Sequence, residues 1–163
     1  MMSDHDDMMG DMTNRRDTTE IGVNVVVTVR DAETGDVVET HEEHNLVTLA
    51  GRNLVRDLLN EATDTGLNYF AIGTGTTAAA EGDTALGAEV IRDVFTARSA
   101  TDGVLTISYF LSSASANGSA LTEAGLFTLS TAGVLFARAV HPAINKTSSV
   151  TVTYTWAITI GAV

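Results

Sequence analysis

Two stretches decide the fold that this sequence predicts: NLVTLAGRNLVRDLLN at Asn45–Asn60 and NYFAIGTGTT at Asn68–Thr77. In the first stretch, leucines recur near helical spacing and polar residues can face water, which is the pattern of an amphipathic helix. In the second stretch, Tyr69–Ile72 predicts a short buried strand that runs into a Gly/Thr loop at Gly73–Thr77. The sequence therefore predicts one helix packed against a body of strands. The helical leucines are Leu46, Leu49, Leu54, Leu58 and Leu59, and the polar residues are Asn53, Arg56, Asp57 and Asn60.

The Gly/Thr loop lacks the residues of a phosphate-binding loop. A P-loop needs a Lys-Ser/Thr pair after its last glycine, and a dinucleotide fingerprint needs a third glycine at the start of a helix. After Gly75 the chain continues with two threonines and three alanines, and the next cation is Arg92. We therefore interpret the loop as structural.

Alternation of apolar and polar residues predicts strands in most of the remaining chain. It is clearest at Val150–Ile160, which places Tyr154 and Trp156 on a buried face and threonines on the other. A chain that ends on so long a strand is expected to give that strand a central or well-paired position in a sheet. Short strands joined by Gly, Asn and Asp turns favour a mainly β fold, a two-sheet antiparallel β-sandwich of jelly-roll-like type with one amphipathic helix. The other predicted elements are strands at Ile21–Arg30, Val37–Leu46, Ile91–Ala100, Val104–Leu111, Leu121–Leu129 with a break at Gly125, and Val134–Val140, and a helical turn at Thr84–Glu89.

Length and patterning predict one domain preceded by an arm. The chain has 163 residues, which suffices for a single packed core. Residues 1–20 show no periodicity and are expected to form a flexible N-terminal arm, whereas residues 21–163 are expected to form the β-sandwich domain. The arm lacks the cationic start and apolar run of a signal peptide, and no segment approaches the length of a membrane span. Membrane insertion is therefore not expected.

The chain is strongly acidic. Asp and Glu number 21 against nine Lys and Arg, which gives a formal net charge of −12, and Lys146 is the only lysine. Nucleic acid is not expected as a partner, because its binding requires clustered cations and the sequence has no cluster beyond Arg15-Arg16. An acidic, lysine-poor surface suits concentrated salt, where self-repulsion is screened, so the composition favours a halophilic source over an ordinary acidic protein. The chain has no cysteine, which excludes disulfides and thiolate metal sites.

The sequence predicts no catalytic, cofactor-binding or metal-binding residue, and the protein is not expected to be an enzyme. The motif DHDD at Asp4–Asp7 lies on the predicted arm and lacks the preorganised geometry of a cation site. In the motif HEEH at His41–His44, alternate side chains of the predicted strand point to opposite faces, so four ligands do not converge. No histidine has Ser and Asp partners in a recognisable nucleophile context. Four charges beside apolar runs are expected to pair with one another or with the backbone rather than to form an acid-base set, namely Glu89, Arg92, Glu123 and Arg138.

Several short motifs occur in an order that resembles a known family. They are Asn45-Leu46-Val47-Thr48 with Gly51-Arg52, then residues 71–77 (AIGTGTT), residues 82–86 (GDTAL), Glu89 with Arg92, Ala116-Asn117-Gly118, residues 123–127 (EAGLF), Arg138, Lys146-Thr147 and the closing strand with Trp156. In this order they resemble a recurrent module of tailed-virus structural proteins, found in tail-fibre, baseplate and other virion-surface proteins of phages and tailed archaeal viruses. The resemblance covers about residues 20 to 163.

The resemblance implies a structural role in a virion. The protein is expected to form a surface-exposed symmetric oligomer, a trimer or pentamer, attached through its N-terminal arm to capsid or tail proteins of a virus with a halophilic host. Because the module occupies nearly the whole chain, a capsid turret or decoration protein, or a small baseplate or tail-fibre component, is favoured over a full-length fibre. The alternative is an adhesion module that binds the host surface or carbohydrate. Exposed aromatic residues would favour that alternative, and the chain has one Trp and three Tyr.

Overall fold

The computed structural model of the protein describes residues 19–162. The predicted arm, including the Asp4–Asp7 motif, lies outside the described residues except for Thr19 and Glu20, which begin the first strand. In chain order the described elements are β1 (Thr19–Asp31), β2 (Val37–His44), β3 (Leu46–Val47), α1 (Leu49–Leu59), β4 (Tyr69–Gly73), β5 (Glu89–Val94), β6 (Ala97–Thr101), β7 (Val104–Leu111), β8 (Ala120–Phe127), β9 (Leu135–Asn145) and β10 (Val150–Ala162).

The strands form two five-stranded antiparallel sheets. The first sheet has the order β2-β1-β10-β7-β6 and the second has the order β3-β9-β8-β4-β5. Their inner faces share one apolar core, to which both sheets contribute. The predicted mainly β, two-sheet sandwich is therefore confirmed.

Strand β10 occupies the centre of the first sheet, as predicted. It pairs with β1 along its whole length, from Thr19 opposite Ala162 to Asp31 opposite Val150, and with β7 on its other side. Its inward side chains Tyr154 and Trp156 are fully buried. Phe70 of the second sheet packs 5.0 Å from the Tyr154 ring and 6.2 Å from the Trp156 ring, measured between centroids. Aromatic contacts across the sandwich thus join the two sheets.

Helix α1 is shorter than its sequence pattern predicted, and most of its leucines are exposed. Thr48 caps its first turn by accepting a hydrogen bond from the Gly51 amide at 2.9 Å, and Leu46 lies before it in β3. Leu54 is buried, whereas Leu59 is 83% exposed. Gly51 lies against Phe136 of β9 and Leu54 joins the shared core, so the buried side of the helix is narrower than the predicted row of leucines. Of the predicted leucines, those exposed are Leu49, Leu58 and Leu59.

Three further predictions about local structure were wrong. The predicted strand Ile91–Ala100 is two strands, because the chain leaves β5 of the second sheet and enters β6 of the first sheet. The predicted turn at Thr84–Glu89 is not helical, because the amides of residues 87 and 88 are directed at a side chain of the second sheet. Strand β8 continues through Gly125, over which Leu86 and Leu135 pack.

Within residues 19–162, no helix has the length and apolar character needed to cross a membrane. Helix α1, the longest candidate, has 11 residues. A membrane-spanning helix needs about 20.

We predict that Gly51→Ala weakens the docking of the helix. A Cβ atom at Gly51 would clash with the backbone carbonyl of Phe136 in β9, a backbone group rather than the end of a flexible side chain. We expect a loss of about 2 kcal/mol in the free energy of unfolding, measured by urea denaturation. Gly82→Ala is the matched control, because nothing lies within 4 Å of a Cβ at Gly82. Equal stability of the two variants would contradict close packing of α1 on β9.

Candidate functional site

The carboxylate of Glu123 is bonded on both of its oxygens at the outer face of the second sheet. Glu123 lies in β8 and is fully buried. Its Oε1 accepts hydrogen bonds from the amides of Gly75 at 2.9 Å and Ala88 at 2.7 Å, and its Oε2 accepts one from the amide of Gly87 at 2.9 Å. Two ends of one loop are thus bound to a single carboxylate. We call residues 74–88 the clamped loop.

Arg138 of β9 completes this cluster. Its Nη2 donates to Glu123 Oε2 at 2.8 Å and its Nη1 donates to Asp83 Oδ2 at 2.8 Å. Nη2 also donates to the carbonyl of Thr77 at 2.9 Å, within the clamped loop. The guanidinium therefore binds the middle of the loop, while the carboxylate of Glu123 binds its ends.

Glycine at position 75 is required by this arrangement. The Cβ atom of any other residue there would lie 2.5 Å from Glu123 Oε1, inside van der Waals contact. The Gly/Thr loop is thus structural, as predicted, because its backbone approaches the carboxylate closely. Leu86 at the far end of the loop is buried against Phe127 and Leu135 of the second sheet. The clamped loop covers this outer face with both polar and apolar contacts.

Electrostatics keep the cluster ionised. Burial raises the pKa of Glu123, but the amides of Ala88 and Gly87 and the guanidinium of Arg138 outweigh burial and hold that pKa below its usual value. Burial acts to lower the pKa of Arg138, and its bonds to Glu123 and Asp83 outweigh that effect and raise it. Both Glu123 oxygens are occupied by donors, so this carboxylate is suited to fastening a loop rather than to exchanging protons.

The pairing predicted for the four charges is confirmed. Glu123 pairs with Arg138, and Glu89 pairs with Arg92, with 2.6 Å between Arg92 Nη2 and Glu89 Oε2. Arg92 also lies over the ring of Phe127, with its guanidinium carbon 3.5 Å from the ring centroid. The sequence did not reveal that Asp83 also pairs with Arg138, because 55 residues separate Asp83 from Arg138 along the chain.

Lys146 organises a second loop, at residues 112–119. The side chain is 1% exposed, and its Nζ donates to Asn117 Oδ1 at 2.9 Å and to the carbonyl of Thr147 at 2.8 Å. The backbone of Lys146 also bonds both Gly118 and Ser119. Burial lowers the pKa of the ammonium group. In the sequence, Lys146 stood out as the only lysine of an acidic chain.

The three described histidines have different hydrogen-bonding partners. His41 Nε2 lies 2.5 Å from Glu39 Oε1, and His44 Nδ1 lies 2.8 Å from Asn24 Oδ1. Burial lowers the pKa of His141, whose Nε2 lies 3.3 Å from the hydroxyl of Tyr154. In the part of the chain that the structure describes, no three His, Cys, Asp or Glu side chains are placed to share a metal ion. His5 lies outside that part.

Comparison with known proteins returned no matching family model, no similar curated protein and no similar solved structure. The function of the chain is therefore argued from its own residues. The best-defined arrangement is the cluster of Glu123, Arg138 and Asp83, which joins the clamped loop to the second sheet.

We predict that Glu123→Gln destabilises the fold by about 3 kcal/mol at neutral pH, because it leaves the buried guanidinium of Arg138 without its main anion. The measurement is the free energy of unfolding in urea. Glu81→Gln is the matched control, because Glu81 pairs with Arg52 at the exposed surface and little change is expected there. Similar stability of the two variants would contradict the role of Glu123.

The wild type and Glu123→Gln can also be compared as a function of pH. The folded-state pKa of Glu123 lies below its usual value of 4.5, so its ionisation stabilises the fold above pH 4.5 and this contribution is lost as the pH falls through the folded-state pKa. We therefore expect the difference in unfolding free energy between wild type and Glu123→Gln to shrink with acidification below pH 4.5. A difference independent of pH would show that the carboxylate charge is not what stabilises the loop.

We predict that Lys146 is protected from amine-reactive esters in the folded protein. Its ammonium group is buried and holds three oxygen acceptors, so reaction requires local opening of residues 112–119. Acylation followed by mass spectrometry should modify Lys146 at least about tenfold more slowly in the native state than in denaturant. Equal rates in the two conditions would contradict the burial of the amine.

Proposed function

We propose that the protein is a virion structural protein of a tailed virus of a halophilic host. In this proposal it forms a symmetric oligomer, a trimer or pentamer, on the particle surface and attaches through its N-terminal arm to capsid or tail proteins. It serves as a capsid turret or decoration protein or as a small baseplate or tail-fibre component. Its location is the virion.

One observation carries the proposal. The motifs that resemble the virion module are far apart in sequence, yet Gly75, Asp83, Glu123 and Arg138 meet in one cluster. Every member of the cluster takes part in a hydrogen bond with a backbone group or in an ion pair with a side chain of opposite charge. Residues used in this way maintain a rigid module, which is what a particle component needs and what the resemblance implies.

Charge supports the halophilic part of the proposal. The net charge is −12 and the only lysine is buried, so the basic side chains that reach the surface are arginines. In concentrated salt the repulsion between surface carboxylates is screened within a few ångströms, which permits close assembly of such chains.

The alternative, an adhesion module that binds carbohydrate, is less well supported than a virion structural role, because few aromatic side chains are exposed. Trp156 and Tyr154 are fully buried, as predicted, and Tyr109 is 6% exposed. A sugar-binding surface commonly uses exposed aromatic rings as stacking platforms. Phe110, which is 47% exposed, is the large aromatic side chain that the described surface presents most openly.

The proposal is tested on particles released by a culture that carries the gene. We expect the chain to copurify with particles through density-gradient centrifugation and a nuclease wash, at a fixed copy number relative to the most abundant shell protein. The number of copies in each particle should be a multiple of three or five, measured by quantitative mass spectrometry. Immunogold labelling then distinguishes capsid from tail.

The control is the unassembled protein of the same lysate, sedimented alone on an identical gradient. A chain that is abundant in the lysate and missing from purified particles would overturn the proposal. A copy number that varies from one preparation to the next would indicate adventitious adsorption and would overturn it as well.

A further inference from the structure

The outer face of the first sheet differs from the rest of the surface in having no charge across four adjacent strands. We call it the threonine face. Its residues are half-exposed or exposed and point away from the core shared by the two sheets. They are Gly22, Asn24, Val26 and Thr28 of β1, Thr153, Thr155, Ala157 and Thr159 of β10, Val104, Thr106, Ser108 and Phe110 of β7, and Ala97, Ser99 and Thr101 of β6.

Charges begin only at the border of the threonine face. Glu20 and Arg30 lie at the two ends of β1, and Glu42 lies on the edge strand β2, opposite Val26. The chain carries 21 acidic residues, so four uncharged strands are a clear departure from its average surface. The outer face of the second sheet, by contrast, is already covered by the clamped loop.

This charge pattern favours a second copy of the chain as the occupant of the threonine face. Two copies that each carry −12 repel one another wherever carboxylates meet, and the repulsion is smallest where both surfaces lack them. Threonine methyl groups and the ring of Phe110 also offer apolar area, and the threonine hydroxyls can bond to one another across the contact. An acidic or basic partner would find no complementary charge here.

The width of the threonine face suits three copies. Four strands at a spacing of about 4.8 Å span about 19 Å, and three such faces arranged as a triangular prism place each sheet about 5.5 Å from the central axis. Packed sheets lie about 10 Å apart, so about 5 Å from sheet to axis is the distance that side chains fill. Five faces of this width would leave each sheet about 13 Å from the axis, around an open channel.

The area of the threonine face sets the size of the contact. Eight residues of β7 at about 3.3 Å each give a length of about 26 Å, hence about 500 Å² of sheet plane for each copy. Three copies would then bury about 1,500 Å² in total, which is about 500 Å² for each pair of copies. This is below the range of about 1,200–2,000 Å² of a standard interface, so each pairwise contact is weak and the trimer depends on all three contacts forming together.

We infer that three copies pack with their threonine faces toward a common axis. The inference rests on the proposed self-association and adds its contact surface and its order. Thr155 lies at the middle of the face, between Val26 of β1 and Ser108 of β7, and would approach its counterparts near the axis.

The test is the native mass in molar salt, measured by light scattering coupled to gel filtration. The chain has a mass of 17.1 kDa, so we expect about 51 kDa for the wild type. Thr155→Glu should weaken association at least ~100-fold and give monomer at the same protein concentration, because it buries unpaired carboxylates at the contact. Thr131→Glu is the matched control, since Thr131 is exposed in a loop away from the face, and it should stay trimeric.

Folding of the variants is checked by thermal unfolding, and Thr155→Val, which adds no charge, should remain trimeric. A second readout uses single cysteines, because the chain has none of its own. Thr155→Cys should be joined into covalent dimers within the trimer by a short bis-maleimide, because counterparts near the axis lie within about 10 Å of one another, whereas Thr131→Cys should not.

The outcomes separate this inference from the proposed function. A trimer that persists in folded Thr155→Glu, without crosslinking of Thr155→Cys, would overturn the inference and leave the virion proposal standing. A dimer or pentamer would overturn the threefold packing. A wild-type monomer would overturn both the inference and the proposed self-association, whereas absence from particles overturns only the virion assignment.

Discussion

The buried carboxylate of Glu123 is the interaction on which the outer layer of this sandwich depends. An ionised carboxylate without water is costly, and it is stable here because three backbone amides and Arg138 supply donors to both oxygens. The three amides belong to the clamped loop, so satisfying the charge and ordering the loop are one event. Gly75 completes the arrangement, since only a residue without Cβ lets the backbone approach so closely.

This cluster makes the two outer faces of the sandwich different. The second sheet is closed by the clamped loop, with Leu86 seated against Phe127 and Leu135. The first sheet keeps an outer face that is rich in threonine, and charge is confined to the border of that face. The two outer faces of the sandwich are therefore different, and only one of them is left open. A subunit with two different faces can assemble in a single orientation.

Features set by neighbouring residues were predictable from the sequence, whereas features set by contacts between distant residues were not. The burial of Trp156 was predictable because alternation in β10 is a local property of one strand. The exposure of Leu59 was not predictable, because it depends on how much of the helix β9 can cover. The division of Ile91–Ala100 between two sheets was likewise hidden, since each half has an ordinary strand pattern and only the pairing partners differ.

The sequence by itself determined most of the strands and their buried sides, the two-sheet architecture and the net acidity, because residue alternation and charge can be read from the sequence directly. It also indicated that Glu123 and Arg138 would be paired rather than catalytic. Only the tertiary structure decided that Asp83 joins them, that Lys146 is buried beneath a loop, and that one sheet face is covered while the other is open. These outcomes depend on contacts between residues distant in the chain, and periodicity within one element carries no information about its partners.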